Sequence, residues 1–454
     1  MKIFNIAFVL GATLLCSSIL WNCRPKSDWA MAYFEVDATP PLGSPVAYAK
    51  ARSITDSLKA KGIVITGAGA PVVILAIDWI TIANEGMQEF SQKLADAAGT
   101  TPDRVTIHVL HQHDTPRCDF STEKLMADHG LGGTRHDNAY LNRVMDDAVL
   151  ALSQALKKVK PVTQIGFGEA QVEKVASNRR ILGDDGKVAI VRFSKSTDPK
   201  AQEAPEGLID PWLKSVSFWS GNEPIVTLSY YATHPQSYYG EGDVTAEFIG
   251  MARKAREEAT GVPQLFFIGA AGNVAAGKYN DGSVPMREVL AERIEKAMEQ
   301  AWENTEKKKV EKPQWRHTWV QLPIAEHMKK DSLWTVLKDS VQATPDQRFS
   351  AARKIAWLDL QEKGRGINIS SLQLGSTWLL HLPSEIFVEY QLYAQSLHPD
   401  GHVCTAGYGE GGQGYIGTEI AYTQGGYEVQ PRVSMVAPSS EQVVKNAIET
   451  VLNP

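Results

Sequence analysis

Short apolar runs alternate with amphipathic helical patterns along most of this chain, and this alternation constrains the fold more than any other feature. Residues 72–77 and 265–268 are continuously apolar, as buried strands are, and residues 105–110 predict another strand. Helical patterns cover residues 89–98 and 138–158. Segments that alternate in this way predict an α/β fold with mixed β-sheets and packed helices.

The rest of the chain continues the same pattern. Further strands are predicted at residues 164–167, 187–193, 216–219 and 224–231, and a β-hairpin at residues 369–382 turns at Gly375 and Ser376. Further helices are predicted at residues 247–258, 286–307 and 441–452, and one is expected to begin near Glu385. The charged run from Glu306 to Lys309 fits a solvated helix end. No linker rich in proline or serine interrupts residues 33–454, so we expect a single domain there.

The N-terminus has the layout of an export signal over residues 1–23. Met1 and Lys2 precede an apolar run that continues to Trp21, and no acidic residue occurs before Asp28. The run is also long enough to span a bilayer, so an uncleaved anchor is an alternative. Cys23 stands where a lipoprotein carries its acylated cysteine, although the preceding residues are not the small ones such sites prefer. We therefore expect an exported protein, either periplasmic, secreted or held at a membrane surface through its N-terminus.

Composition excludes some partners and one kind of scaffold. The net charge of -6 and the absence of a basic cluster argue against a nucleic-acid partner. Four cysteines are too few for a disulfide framework, and two of them fall in the export segment. The other two, Cys118 and Cys404, could form a disulfide, but we expect buried free thiols. The sequence leaves the oligomeric state open.

The strongest chemical motif is His111-Gln112-His113, which follows the predicted strand at residues 105–110. Residues two apart in a strand point to the same side, so the two imidazoles are expected to lie together. Both could bind one metal ion, or one could bind it while the other lies beside a bound water. The alternative is a pair of partly exposed histidines without a metal.

Other candidate residues also follow predicted strands. His234 ends an apolar strand, and Pro235 keeps it out of helical geometry. Glu385 is the natural third ligand of a zinc ion, although an acidic residue in a first helical turn also stabilises the helix dipole. Ligands of open α/β sheets bind beyond the carboxyl ends of the strands, where these residues are expected. The turn at residues 269–274 is predicted to line the same cleft.

A glycine-rich segment at residues 407–418 adds a further candidate surface. So many glycines suggest that the backbone closely approaches another group. Tyr415, and Tyr427 shortly after the segment, are the side chains there with useful chemistry.

Taken together, these segments resemble the catalytic domain of the neutral, non-lysosomal ceramidases, and they occur in the same order. Leu110-His111-Gln112-His113 stands where that family has its H-T-H-S-G-P signature, and Pro383-Ser384-Glu385 corresponds to its P-G-E segment. The other segments that carry the resemblance are residues 36–43, 177–180, 232–235, 269–274, 414–416 and 425–428. The similarity therefore runs from about residue 33 to the C-terminus.

The resemblance implies roles for individual residues. It implies a zinc ion bound by His111, His234, Glu385 and Tyr415, with His113, Arg179 and Tyr427 around the scissile group. In those positions His113 could transfer a proton, while Arg179 and Tyr427 could hold a developing oxyanion. We further assign substrate binding to Asp78, which follows the strand at residues 72–77, and to Asn273 in the turn at residues 269–274.

The sequence also departs from the family. Its G-D-x-S turn is Gly272-Asn273-Val274-Ala275 here, which lacks an acidic residue and a hydroxyl, and its S-G-P is Asp114-Thr115-Pro116. We do not expect the C-terminal β-sandwich domain that characterised ceramidases carry. The sequence thus predicts a zinc-dependent hydrolase of an amide or acyl-type bond in a small-molecule or lipid substrate. The alternatives are a scaffold redirected to a carbohydrate or another polar substrate, and an exported binding protein without turnover.

Overall fold

The computed structural model describes residues 27–67, 69–238, 240–309 and 312–453 of the chain. The predicted export signal at residues 1–23, with Cys23, lies outside the described residues. Strands and helices alternate as expected, and the predicted α/β class with mixed β-sheets is confirmed.

The strands range from two-residue ladders to strands of nine residues. In chain order they are β1 (Ala30–Asp37), β2 (Ser53–Ile54), β3 (Lys59–Thr66), β4 (Val72–Ile77), β5 (Thr81–Ile82), β6 (Val105–Val109), β7 (Arg117–Cys118), β8 (Lys160–Pro161), β9 (Gln164–Gln171), β10 (Ser177–Asn178), β11 (Arg180–Leu182), β12 (Val188–Val191), β13 (Trp212–Ser220), β14 (Glu223–Tyr231), β15 (Asp243–Val244), β16 (Gln264–Ile268), β17 (Val274–Ala275), β18 (Glu306–Lys308), β19 (Gln314–Val320), β20 (Ile367–Leu374), β21 (Thr377–His381), β22 (Glu385–Ile386), β23 (His402–Ala406) and β24 (Tyr415–Ile416).

Most of the helices are amphipathic, and most of them connect consecutive strands along the chain. In chain order they are α1 (Asn84–Ala98), α2 (Phe120–Asp128), α3 (Asn138–Ala155), α4 (Pro199–Glu203), α5 (Glu247–Thr260), α6 (Met286–Glu303), α7 (Lys330–Lys338), α8 (Pro345–Glu362), α9 (Val388–Ser396), α10 (Glu419–Gln424) and α11 (Ser440–Leu452). None of the helices in the described part of the chain is both long enough and apolar enough to cross a membrane.

Two of the larger sheets pack face to face between two layers of helices. The first has the strand order β6-β4-β3-β1-β8 and is covered by α1 and α3, and the second has the order β16-β14-β13-β9-β18 and is covered by α5 and α6. Their inner faces meet where β16 contacts β4 and β6. Buried side chains from both sheets and from the helices form one core, for example Ile74, Phe90, Val216, Phe266 and Ile294.

A third sheet, with the order β19-β20-β21-β23, packs against α11 and has its own apolar cluster. Each of the three sheets contains one parallel pair: β4 with β6, β14 with β16, and β21 with β23. Backbone hydrogen bonds join the ends of these pairs. Val109 N, at the end of β6, donates to Tyr408 O, just after β23, at 3.0 Å, and Gly407 N donates to Ile268 O, at the end of β16, at 2.8 Å. The carboxyl ends of all three pairs therefore meet in one place.

Most sequence-based elements agree with the structure, and one of them was wrong. The charged run predicted as the end of a helix is β18, an edge strand that pairs antiparallel with β9. Charged side chains suit an exposed sheet edge because they discourage further strand pairing. The helix expected near Glu385 begins at Val388, and Glu385 itself lies in β22. Cys118 and Cys404 are both buried free thiols, as predicted.

Candidate metal centre

The two best metal-ligand candidates, His111 and His234, lie just beyond the carboxyl ends of β6 and β14, as the sequence predicted. In each case the Nδ1 atom contacts a backbone carbonyl oxygen: Ile80 O at 2.6 Å from His111, and Ala271 O at 2.8 Å from His234. A carbonyl oxygen only accepts, so each Nδ1 carries the proton and donates it. Each Nε2 is therefore left with a free lone pair, as a metal ligand requires.

Both Nε2 atoms point at the Glu385 carboxylate. Its Oε2 lies 3.4 Å from His111 Nε2 and 3.3 Å from His234 Nε2. The pairing of β22 with β24 sets Glu385 directly beside Tyr415, whose hydroxyl lies 3.5 Å from His234 Nε2. The structure thus brings together all four residues that the sequence assigned to the metal. Imidazole nitrogens and a carboxylate oxygen are ligands that transition metals accept.

His113 belongs to the same cluster. Its ligand atom and those of His111 and His234 all lie within 4.8 Å of one another. The Nδ1 atom is 2.6 Å from the Tyr48 hydroxyl, while Nε2 is buried and has no hydrogen-bond partner among the described residues. A buried nitrogen without a partner is costly, so this atom fits beside a bound ion or water.

Burial and mutual contact shift the pKa values of these groups. Burial alone would raise the pKa of Glu385, but the His111 and His234 imidazoles outweigh it and hold that pKa well below its usual range. Burial, reinforced by the neighbouring His111 and His234, lowers the pKa of His113 well below the usual histidine value. At neutral pH the carboxylate is therefore ionised and His113 is uncharged. Both states are the ones that a metal centre with a nearby proton acceptor requires.

Arg179 lies behind Tyr415. Its Nη1 donates to the Tyr415 hydroxyl at 3.2 Å, and its Nε lies 3.2 Å from Oε1 of Glu428, which is fully buried. The guanidinium also lies 5.3 Å from the centre of the Tyr427 ring. Glu428 and the two tyrosines thus fix one positive charge at this side of the centre.

A pocket of about 200 Å³ opens onto the centre. Of the residues assigned from the sequence, His111, His113, Glu385, Tyr415 and Tyr427 line it. The lining also includes residues with no assigned role, among them Tyr48, Arg117, Arg353 and Tyr408. The pocket is therefore polar and aromatic on the side of the metal ligands.

Asp78 and Asn273, the residues assigned to substrate binding, lie elsewhere. The Asp78 carboxylate is fully buried and accepts two hydrogen bonds from Arg253, at 3.0 and 2.6 Å, and one from Gln112 at 2.8 Å. The Asn273 side chain donates to Glu389 Oε2 and accepts from the Val388 backbone N–H, both at 2.9 Å. Their polar atoms are occupied within the protein, and neither residue lines the pocket.

Sequence reasoning missed two tyrosines that contact the histidines. Tyr48 lies in a loop without any motif that could have indicated its contact with His113. The Tyr408 ring packs 4.7 Å from the His111 ring, and its hydroxyl lies 3.1 Å from His234 Nδ1. Tyr408 stands within the glycine-rich segment, and that position was the one signal that could have identified it.

Backbone strain is concentrated around the same centre. His111, Ser384 and Tyr408 adopt φ values of 61°, 57° and 59°, in the left-handed region that non-glycine residues rarely occupy. Such conformations cost free energy and persist where the surrounding structure enforces them. Their grouping around one pocket is typical of a functional site.

Comparison with known proteins agrees with this geometry at the level of fold. No protein-family model matches the sequence, and no curated protein matches it. Among solved structures, the chain is similar to a neutral ceramidase from Pseudomonas aeruginosa, with a TM-score of 0.68 and 17% identity over 94% of this chain and 74% of that one. It is similar also to a ceramidase complexed with C2, with a TM-score of 0.67 and 17% identity over 93% and 75% of the two chains. The chain therefore has the fold of the neutral ceramidases.

Proposed function

We propose that this chain is an exported, zinc-dependent hydrolase that cleaves an amide or similar acyl-type bond, and that it is a divergent member of the neutral ceramidase family. The observation that carries the proposal is the convergence of His111 Nε2 and His234 Nε2 on Glu385, with Tyr415 beside them. The fold shared with neutral ceramidases supports it. Residues 33–454 would form a single catalytic domain.

His111, His234, Glu385 and Tyr415 would hold the zinc ion. Zinc bound there would lower the pKa of a bound water toward neutrality and polarise the substrate carbonyl. His113 is uncharged at neutral pH because its pKa is lowered, so its free Nε2 can accept a proton and return it to the leaving group. The contact between its Nδ1 and Tyr48 orients the ring for this transfer.

Arg179 and Tyr427 would act on the negative charge that develops during acyl transfer. The Arg179 guanidinium is held by Glu428 and donates to the Tyr415 hydroxyl, so its charge is fixed without rearrangement. Tyr427 lines the pocket, and its ring lies beside the Arg179 guanidinium. Preorganised donors and charges of this kind stabilise an oxyanion because they are already in place when the reaction begins.

Metal analysis together with amide hydrolysis tests the proposal. The purified protein is expected to contain about one zinc ion per chain and to release fatty acid from ceramide or from simpler N-acyl amides. His111→Ala should lose both the metal and the activity. His317→Ala is the matched control, because His317 pairs with Asp103 and does not line this pocket. A wild-type protein without zinc, or full activity in His111→Ala, would refute the proposal.

A further inference from the structure

Two arginines in the wall of the pocket have no acidic partner. Arg117 at the start of β7 and Arg353 in α8 both line the pocket, and neither forms an ion pair with any acidic side chain in the described ranges. Arg117 Nη2 donates to the Ala47 carbonyl at 2.6 Å, but its Nε is buried without a partner. The contact with Ala47 therefore satisfies one nitrogen of the Arg117 guanidinium, and neither arginine has its charge balanced by an ion pair with a carboxylate of the described segments.

The surroundings of the two arginines are positively charged although the whole chain is negative. The Phe349 ring contacts three guanidinium groups, with Arg117, Arg135 and Arg353 lying 5.1, 5.5 and 5.8 Å from its centre. Arg135 pairs with Asp346, whose side chain is 81% exposed. Across the pocket, Arg432 lies 5.3 Å from the centre of the Tyr427 ring. In a chain of net charge -6, this local excess of positive charge requires an explanation.

The arrangement has an electrostatic cost. Burial, with help from the charges of Arg353 and Arg135, lowers the pKa of Arg117 to about 10. Buried charges are normally paired, because removal of an unpaired charge from water is expensive. An anion in the pocket that both of these side chains line would reduce the repulsion between their charges and could accept from the unsatisfied Nε of Arg117. Guanidinium groups suit this role because they bind carboxylate and phosphate oxygens in pairs of parallel hydrogen bonds.

We propose that Arg117 and Arg353 bind an anionic oxygen group, a carboxylate or a phosphate, on the substrate of this pocket. This inference rests on the proposed function, because it names the class of acyl compound that the same centre would cleave. A substrate bound in this way is held at its anionic end by the arginines, while its acyl-type bond lies at the metal ligands. Because the two guanidinium groups attract an anionic end and not an uncharged one, the proposal predicts a preference for anionic substrates.

Matched pairs of substrates test the proposal. N-Octanoylglycine is compared with N-octanoylethanolamine, and N-octylsuccinamic acid with N-octylbutanamide, so that the anion lies on either side of the amide. In at least one pair the anionic compound should have a higher kcat/KM, by roughly tenfold or more, as charged hydrogen bonds allow. Arg353→Gln and Arg117→Gln should each remove most of that preference, measured as the ratio of kcat/KM for the two compounds of a pair.

Arg143→Gln is the matched control, because the Arg143 guanidinium also lies over an aromatic ring, that of Tyr140, but does not line the pocket. It should leave the preference unchanged. If neutral and anionic compounds are cleaved equally well in both pairs, the anion site is refuted while the hydrolase remains.

Should none of these four compounds be cleaved, metal analysis and ceramide hydrolysis decide about the proposed function, and calorimetric binding of the same pairs decides about the anion site separately. Tighter binding of an anionic compound, lost in Arg353→Gln, supports the site. Equal affinities in both pairs overturn it.

Discussion

Replacement of Asp78 by alanine is expected to destabilise the fold strongly. Asp78 follows β4, and its fully buried carboxylate holds the Arg253 guanidinium, whose side chain is only 4% exposed. The same carboxylate accepts a hydrogen bond from Gln112, the residue between His111 and His113, and one from the Lys59 backbone N–H at 2.8 Å. The substitution therefore leaves the buried Arg253 charge without this carboxylate and removes one acceptor from each of two neutral donors.

The magnitude follows from the buried charge. Breaking a buried ion pair by removal of one partner costs about 3–5 kcal/mol, most of it from the charge that remains. The two neutral donors each add up to about 1–3 kcal/mol if water cannot reach them. We expect a loss of at least about 3 kcal/mol in the free energy of unfolding. The double variant Asp78→Ala/Arg253→Met should recover part of this loss, because it removes the unpaired charge.

Urea denaturation followed by circular dichroism measures this loss. Asp128→Ala is the control, because its pair with Lys124 is solvent-exposed and contributes at most about 1 kcal/mol. The protein that remains folded should bind substrate with an unchanged KM, because Asp78 does not line the pocket. A stability loss below about 1 kcal/mol together with a raised KM would refute this reasoning and would support a role for Asp78 in substrate binding.

Two further predictions concern pH and proton transfer. Burial raises the pKa of Glu410 from 4.5 to about 7, so its ionisation destabilises the fold as pH rises across that range. Glu410→Gln, whose side-chain oxygen can still accept from the Asn84 and Gly412 backbone N–H groups, should be more stable than the wild type at pH 8 and equally stable at pH 4. Denaturation curves at both values check this, and an equal difference at both would contradict it. Tyr48→Phe should lower kcat by about fivefold with little effect on KM, because it removes the hydrogen bond that orients His113; an unchanged kcat and pH–rate profile would count against that role.

The parts of the site that follow strand ends could be predicted from sequence. His111 and His234 each follow an apolar run, so their positions beyond β6 and β14 depend on a local pattern and a general rule about open α/β sheets. The sequence does not show why this rule about strand ends holds here. Three separate parallel pairs end at the same place, and the order of strands in each sheet depends on long-range pairing.

The features that sequence reasoning missed depend on contacts between distant segments. Glu385 lies in a strand because β22 pairs with β24, thirty residues further along the chain. Arg117 and Arg353 both contact the Phe349 ring because α8 packs against α2 near β7. No local sequence pattern predicts that contact. Asp78 follows a buried strand just as His111 does, yet α5 supplies Arg253 and occupies its carboxylate.

The two backbone carbonyls that fix the metal-facing histidines have a consequence for how this protein can change during evolution. A carbonyl oxygen is present whichever side chain a position carries, so a substitution at Ile80 or Ala271 does not delete the acceptor for His111 or His234. The orientation of His111 and His234 therefore does not depend on which side chains stand at positions 80 and 271. Residues that contribute side chains to the pocket wall have no such protection. Side chains of the pocket wall can therefore change while His111 and His234 keep their orientation.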